Sequence, residues 1–306
     1  MYIPRYYVLS DVDFDESTFN HAYMVKTEKL LSDFSDEDSK RHFSYWDRLE
    51  YDVCSEYYIV DSGKKSFKSK AFSCKGLAER FSRLKYLHQI EEFAHEYGLL
   101  GIPYPELDSL DPKDSTINLG ISGFKVEPSN LWLDEIENIK KLMKLYSILK
   151  KYRSGFLNEL DETLFDYKEN KRFEGHYSIT WYDGVDTYVP IQYEDIENAS
   201  LETIYREVLV SSIEQKIAKS VYLSSKFIDS PKTPIGFYAL EIRYSQSLLT
   251  AIYYDLWSKI KQNEDIDFCA NPNCNLPYEK KPRQEYCQNS CKQEAYRIRK
   301  NAERNL

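Results

Sequence analysis

The sequence predicts a mainly α-helical fold with a few short β-strands, divided between an acidic body and a small C-terminal module. Three observations predict it. Apolar stripes at helical spacing recur along the body. Glycine and proline are scarce, 10 and 11 among 306 residues, which suits long helices. The last forty residues change character, becoming basic and holding four of the six cysteines. A chain of this length suggests two domains and can bury a core without disulfides. Its 42% hydrophobic and 30% charged residues exclude long-range disorder.

Residues 2–9 read as a short strand, confined by Pro4 to an edge or a strand start. Another strand is expected at Tyr57 to Val60, followed by a turn at Ser62-Gly63-Lys64-Lys65. Residues 76–97 carry a helical stripe through Leu77, Phe81, Leu84, Leu87, Ile90 and Phe93, with a break near Tyr86 and a left-handed stop at Gly98. Residues 101–128, with four prolines, form a long connection and a candidate sub-boundary, with a strand at Ile117 to Val126. Residues 129–153 make the best helix. Ser129 or Asn130 caps it, acids precede bases along it, and Trp132, Ile136, Ile139, Met143, Tyr146 and Leu149 share one side. Residues 177–191 predict a hairpin turning at Asp183-Gly184. Helices are expected at about 200–223 and 238–262, separated by Ser230 to Gly236. The body thus covers 1–262 and the C-terminal module 263–306.

Net charge is −9, which alone argues against nucleic-acid binding. The average hides an asymmetry. Glu279 to Leu306 carries eight bases against four acids, and the rest carries 33 bases against 46 acids. That pattern is a basic module on an acidic body. The N-terminus lacks a charged segment followed by an apolar core, and no run of apolar residues reaches membrane-spanning length. The expectation is a cytoplasmic protein without a membrane partner, whose cysteines are thiols or metal ligands.

The module reads Cys269-Ala-Asn-Pro-Asn-Cys274, twelve residues, then Cys287-Gln-Asn-Ser-Cys291. Two close cysteine pairs about a dozen residues apart are what a tetrahedral structural Zn²⁺ site needs. Four thiolates leave no coordination position for substrate, so the expected zinc role is in folding. A treble-clef or ribbon finger follows. After Cys287 the spacing predicts a helix. Cys291, Ala295, Ile298 and Ala302 line its inner side, and Gln293, Arg297, Lys300 and Arg304 its outer side, flanked by Tyr296 and Arg299. Such a basic stripe can meet phosphates or guanine edges, although charge runs are commonly just solvated. Lys280, Lys281 and Arg283 would add phosphate contacts.

These residues resemble the bacterial CGNR-type zinc-finger group. The likeness rests on Cys269-Ala-Asn-Pro-Asn-Cys274, Tyr286-Cys287, and Cys291 followed by Ala295-Tyr-Arg-Ile-Arg299. The chain departs where Lys292-Gln-Glu294 replaces Gly-Asn-Arg and where three residues, not four, separate Cys287 from Cys291. Phe93 to Gly101 and the Trp132 helix also resemble the body of bacterial proteins carrying such fingers. The resemblance implies a DNA-binding regulator of transcription. With few basic groups one finger binds weakly, so a homodimer or a second contact surface is expected.

Two other readings stay open. Arg83 and His88 match the R-x4-H spacing of HEPN-type ribonucleases, where the pair flanks a phosphodiester, although Leu84 stands where a polar residue is usual. Alternatively the finger is an interaction module whose basic stripe docks on acids. Enzyme signals are otherwise weak. His21, His42, His95 and His176 are scattered, and no phosphate-binding glycine loop or nucleophile elbow occurs. Cys54 and Cys74 read as small buried residues, and Glu91-Glu92 as a solvated acidic face.

Overall fold

The computed structural model describes residues 74–101, 126–158, 160, 164–169, 176–190, 199–218, 221–229, 237–245 and 247–304, with the strand segments 7–8, 17–26 and 57–68. In chain order these form β1 (Tyr7–Val8), β2 (Ser17–Lys26), β3 (Tyr57–Lys68), α1 (Leu77–Ser82), α2 (Leu87–Tyr97), β4 (Val126–Pro128) and α3 (Ser129–Arg153). Next come β5 (Phe165–Glu169), β6 (His176–Trp181), β7 (Asp186–Pro190), α4 (Leu201–Ile217), β8 (Val221–Asp229), β9 (Phe237–Ser245) and α5 (Leu248–Lys261). The last are β10 (Ile266–Phe268), β11 (Pro277–Glu279) and α6 (Asn289–Arg304). The strands form antiparallel sheets of order β1-β9-β8, β2-β3-β4, β5-β6-β7 and β10-β11.

Helices are prominent, as expected, and α3 matches its expected span residue for residue. Strands are longer than expected. The segment 238–262 starts as β9 and becomes helical only at Leu248. The helix expected over 200–223 ends at Ile217, and β8 begins at Val221. The expected turn at 62–65 lies inside β3. There the register passes from Asn20↔Lys65 to Ala22↔Asp61, so Ser62, Gly63 and Lys64 together face His21 in a bulge. Of the two other expected strands, 7–8 and Val126 are described, the latter opening β4, and the remainder of 2–9 and 117–125 lies outside the described residues.

The chain divides into two compact units, Met1–Glu137 with Ser220–Ile252, and Asn138–Lys219 with Tyr253–Leu306. The boundary expected at 262/263 falls inside the second.

In the first unit the helix breaks where expected. Arg83 caps α1, and Tyr86 is extended at φ −123°, ψ 149°. Gln89 Oε1 then accepts from the Lys85 and Tyr86 N–H groups and starts α2. Gly98 ends α2 at φ 85°, but its ψ of −163° is not left-handed helical, so the chain leaves extended. Phe81, Phe93 and Trp132 form the aromatic core, with ring centroids 5.5–6.4 Å apart. The buried Glu127 carboxylate accepts from the N–H groups of Leu100 and Gly101 and from the Trp132 indole at 2.7–2.9 Å. Glu91 is not merely solvated: its carboxylate accepts from Met24 N of β2 at 3.2 Å.

In the second unit the β6–β7 hairpin turns at Asp183-Gly184, where Gly184 takes φ 79°. Lys141 of α3 is almost wholly buried, pairs with Asp183 at 2.7 Å and lies 5.6 Å from the Trp181 ring centroid. Phe165, Trp181 and Tyr205 pack beneath. The N-terminus of α4 is capped by Ser200 Oγ, which accepts from Thr203 N. No helix among the described residues is long and apolar enough to cross a membrane.

Candidate metal centre and basic helix

The C-terminal module is built on a three-residue ladder. Ile266, Asp267 and Phe268 pair with Glu279, Tyr278 and Pro277. The chain between the strands bends back on itself through Asn271. Its carbonyl accepts from Cys274 N at 2.9 Å and Asn275 N at 3.2 Å, and its side-chain oxygen accepts from Asn273 N at 3.1 Å. Asn275 takes φ 45°, a left-handed conformation that asparagine tolerates better than most residues. This bend brings Cys269 and Cys274 together. Ala270 N donates to Glu285 O at 2.9 Å and carries the second cysteine pair to the first. Cys291 lies in the first turn of α6, with Cys287 just ahead of it.

All four sulfurs lie within 4.8 Å of one another. Cys274 Sγ to Cys287 Sγ is 3.7 Å, and Cys287 Sγ to Cys291 Sγ is 3.6 Å. Cys269 and Cys291 are buried, the other two half-buried. Cys287 N points at Cys269 Sγ at 3.5 Å. The four cysteines named from their spacing are therefore one cluster that can hold a metal ion. Burial and the neighbouring sulfurs push the Cys287 thiol up. Burial also pushes up Cys274, while at Cys291 contacts from Cys287 and Cys274 outweigh burial and hold the thiol below its usual value. A cation at the centre would favour the thiolate at all four.

No protein-family model, no curated protein and no solved structure matches this chain.

The sulfur cluster is braced on three sides. Asp267 accepts from Lys151 Nζ and Lys280 Nζ, each at 2.6 Å, and from Phe268 N at 2.9 Å. Burial alone would raise its pKa, but these donors prevail and hold the carboxyl below its ordinary range. Buried Tyr278 donates to Gln284 O at 2.8 Å. Its phenol is pushed up to about 12, by burial first and then by the Asp267 charge, so it stays a donor. Glu294 of α6 accepts from Asn271 Nδ2 and Asn273 Nδ2, each at 2.8 Å. The segment leading into β10 is also held by α3. Tyr146 donates to Glu264 O at 2.9 Å, and Lys150 pairs with Asp265 at 2.6 Å.

Of these residues, sequence reasoning noted Asn271 as part of a motif and Glu294 as a departure from one. It missed that they bond each other, and it missed Asp267, Tyr278 and Gln284. A buried asparagine in a tight cysteine loop is readable as a turn former. A carboxylate partner 23 residues away leaves no local signal.

The faces of α6 separate largely as expected. Cys291 and Ala295 are buried and Ile298 is half-buried. Gln293, Tyr296, Arg297, Arg299 and Lys300 are exposed. Among the described residues, no ion pair or hydrogen bond engages Arg297, Arg299 or Lys300. Ala302, expected on the inner side, is exposed instead: from Arg299 onward α6 runs past the core that buries its first turns. Arg304 ends the helix. Lys281 and Arg283 are exposed on the loop after β11, with Arg283 at φ 64°. Lys280 is committed to Asp267.

Arg83 and His88 each engage a different neighbour. Arg83, at the end of α1, bonds Glu79 at 3.3 Å. His88 is exposed on α2 and stacks on Tyr86, centroids 5.6 Å apart. Cys74 is buried, as expected, and Cys54 lies outside the described residues.

Proposed function

We propose that the C-terminal module is a structural zinc finger of treble-clef kind that presents α6 to nucleic acid, duplex DNA in the first instance. Support for zinc comes from the donor set. Four thiolates suit a closed tetrahedral zinc site, where a Zn–S distance of about 2.3 Å puts sulfurs about 3.8 Å apart. The two short S···S distances of 3.6 and 3.7 Å fit that edge. Two ligands on a hairpin loop and two at a helix start fit a treble clef. Metal analysis of purified protein tests this: one zinc per chain is expected, and iron in its place would overturn it.

Nucleic-acid binding is carried by one observation. The outer side of α6 displays Arg297 and Lys300 to solvent, with Arg299 beside them, and no acid among the described residues neutralises them. An interaction module docked on its own acids would spend these groups. Lys280 is seen in such a pair, which removes it from the proposed interface. The test is binding of zinc-loaded protein to mixed-sequence duplex DNA at low and moderate salt, beside R297E/K300E. Salt-sensitive binding lost in the variant is the expected result. Wild-type protein that ignores DNA at low salt would sink the reading.

A further inference from the structure

One carboxylate joins the two halves of the sulfur cluster. Glu294 sits on α6, three residues after Cys291. Its Oε2 accepts from Asn271 Nδ2 and its Oε1 from Asn273 Nδ2, each at 2.8 Å. Both asparagines lie in the loop that carries Cys269 and Cys274. The orientation of Asn271 follows from its other bond. Its Oδ1 must face Asn273 N–H, which leaves Nδ2 for the carboxylate. Asn271 is fully buried, so its amide has no water to fall back on. A buried donor without an acceptor is costly, and bonds to an ionised acceptor are the strong kind.

We propose that Glu294 is a positioning residue for the metal: it latches the Cys269–Cys274 loop to the helix carrying Cys291, so that the four sulfurs stand together before the ion arrives. The inference rests on the zinc reading above. Binding a metal to a loose site includes the entropy of gathering its ligands. A latched site has already met part of that cost, so the benefit appears in affinity.

The test is competition for Zn²⁺ between the full chain and a chromophoric chelator. E294Q keeps the side-chain shape but has one acceptor oxygen for two donors. Its zinc affinity is expected to fall about 10- to 100-fold, the range for groups that orient ligands. N271D alone sets two carboxylates against each other and is expected to fall at least as far. The double variant N271D/E294Q rebuilds the latch with donor and acceptor exchanged. The amide introduced on α6 then donates to the carboxylate introduced in the loop and still accepts from Asn273, and affinity is expected to recover most of the loss. General damage to folding would not be repaired by adding a second substitution. Co²⁺ loaded to saturation should show the same tetrahedral thiolate spectrum in all four proteins. E294Q with wild-type affinity, or a double variant no better than its parents, would overturn the latch. Wild-type protein that binds no zinc would instead overturn the zinc reading and the latch with it.

Discussion

Lys141 and Asp183 show how one residue pair fixes a local geometry. Lys141 is 3% exposed on α3, and its partner closes the β6–β7 turn. A buried ammonium needs its acceptor more than the acceptor needs it, because the carboxylate side chain keeps about a third of its surface in water. Asp183→Asn is therefore expected to cost about 1–3 kcal/mol, read from urea unfolding. Lys141→Met removes the charge together with its need and should cost less. Burial raises the Asp183 pKa, but Lys141 and the Val185 N–H outweigh it, and the net shift is downward. The folded carboxyl titrates below its unfolded value, so this stabilisation is present above about pH 4 and is lost as pH falls through the folded pKa. Lys259 works in the opposite range. Burial lowers it, yet Glu264 and Asp255 prevail and raise it. Its contribution is full below its unfolded pKa and disappears as pH climbs above about 10.5. Acid unfolding of Asp183→Asn that tracks wild type over pH 2–4, with no loss at pH 7, would contradict this account.

Among the elements, α3 is legible end to end because its basic last turn and its apolar stripe agree, although Ser129 and Asn130, expected as caps, lie inside the helix. The break at Tyr86 and the Asp183-Gly184 turn are legible for the same reason: each is written in a few adjacent residues. β9 is not, although Leu240, Ile242 and Tyr244 alternate with Glu241, Arg243 and Ser245. That period-two signal runs straight into the apolar stripe of α5, and long-range pairing with β8 and β1 decides it. The cysteine cluster is legible from spacing alone, whereas its bracing is not, since Asp267, Lys151 and Lys280 meet only in the fold. This bracing bears on how the module responds to metal removal. An isolated helix of 16 residues is marginal, and α6 buries little beyond Cys291 and Ala295. Stripping the metal with a chelator is expected to reduce helical circular dichroism by about the length of α6 and to speed tryptic cleavage after Arg283 and Arg297. Re-addition of Zn²⁺ should restore both. An unchanged spectrum after verified metal loss would mean that the bracing alone holds α6.

At the scale of the whole molecule, charge constrains the proposed binding of DNA. The chain carries −9 overall, and the basic module is a minority against the acidic remainder. Binding must therefore come from local contacts, with the rest of the field opposing approach. Each phosphate neutralised adds about 0.9 to the slope of log K against log salt. Arg297, Arg299 and Lys300 are three of the four exposed bases on the described part of α6, Lys292 being the fourth, and contacts from these three predict a slope of about −3 for one finger. Such a site binds usefully only below physiological salt. Two fingers acting together, as a homodimer would provide, predict about −5 and a symmetric footprint. The slope, measured by fluorescence anisotropy between about 20 and 150 mM salt, is expected near −3 for the wild-type protein at dilution. It should become steeper only if a second copy joins at higher protein concentration. R297E/K300E should lose binding at every salt concentration. A slope near zero with binding intact would mean that contact is not made through phosphates, and α6 would then have to be read as a surface for another protein.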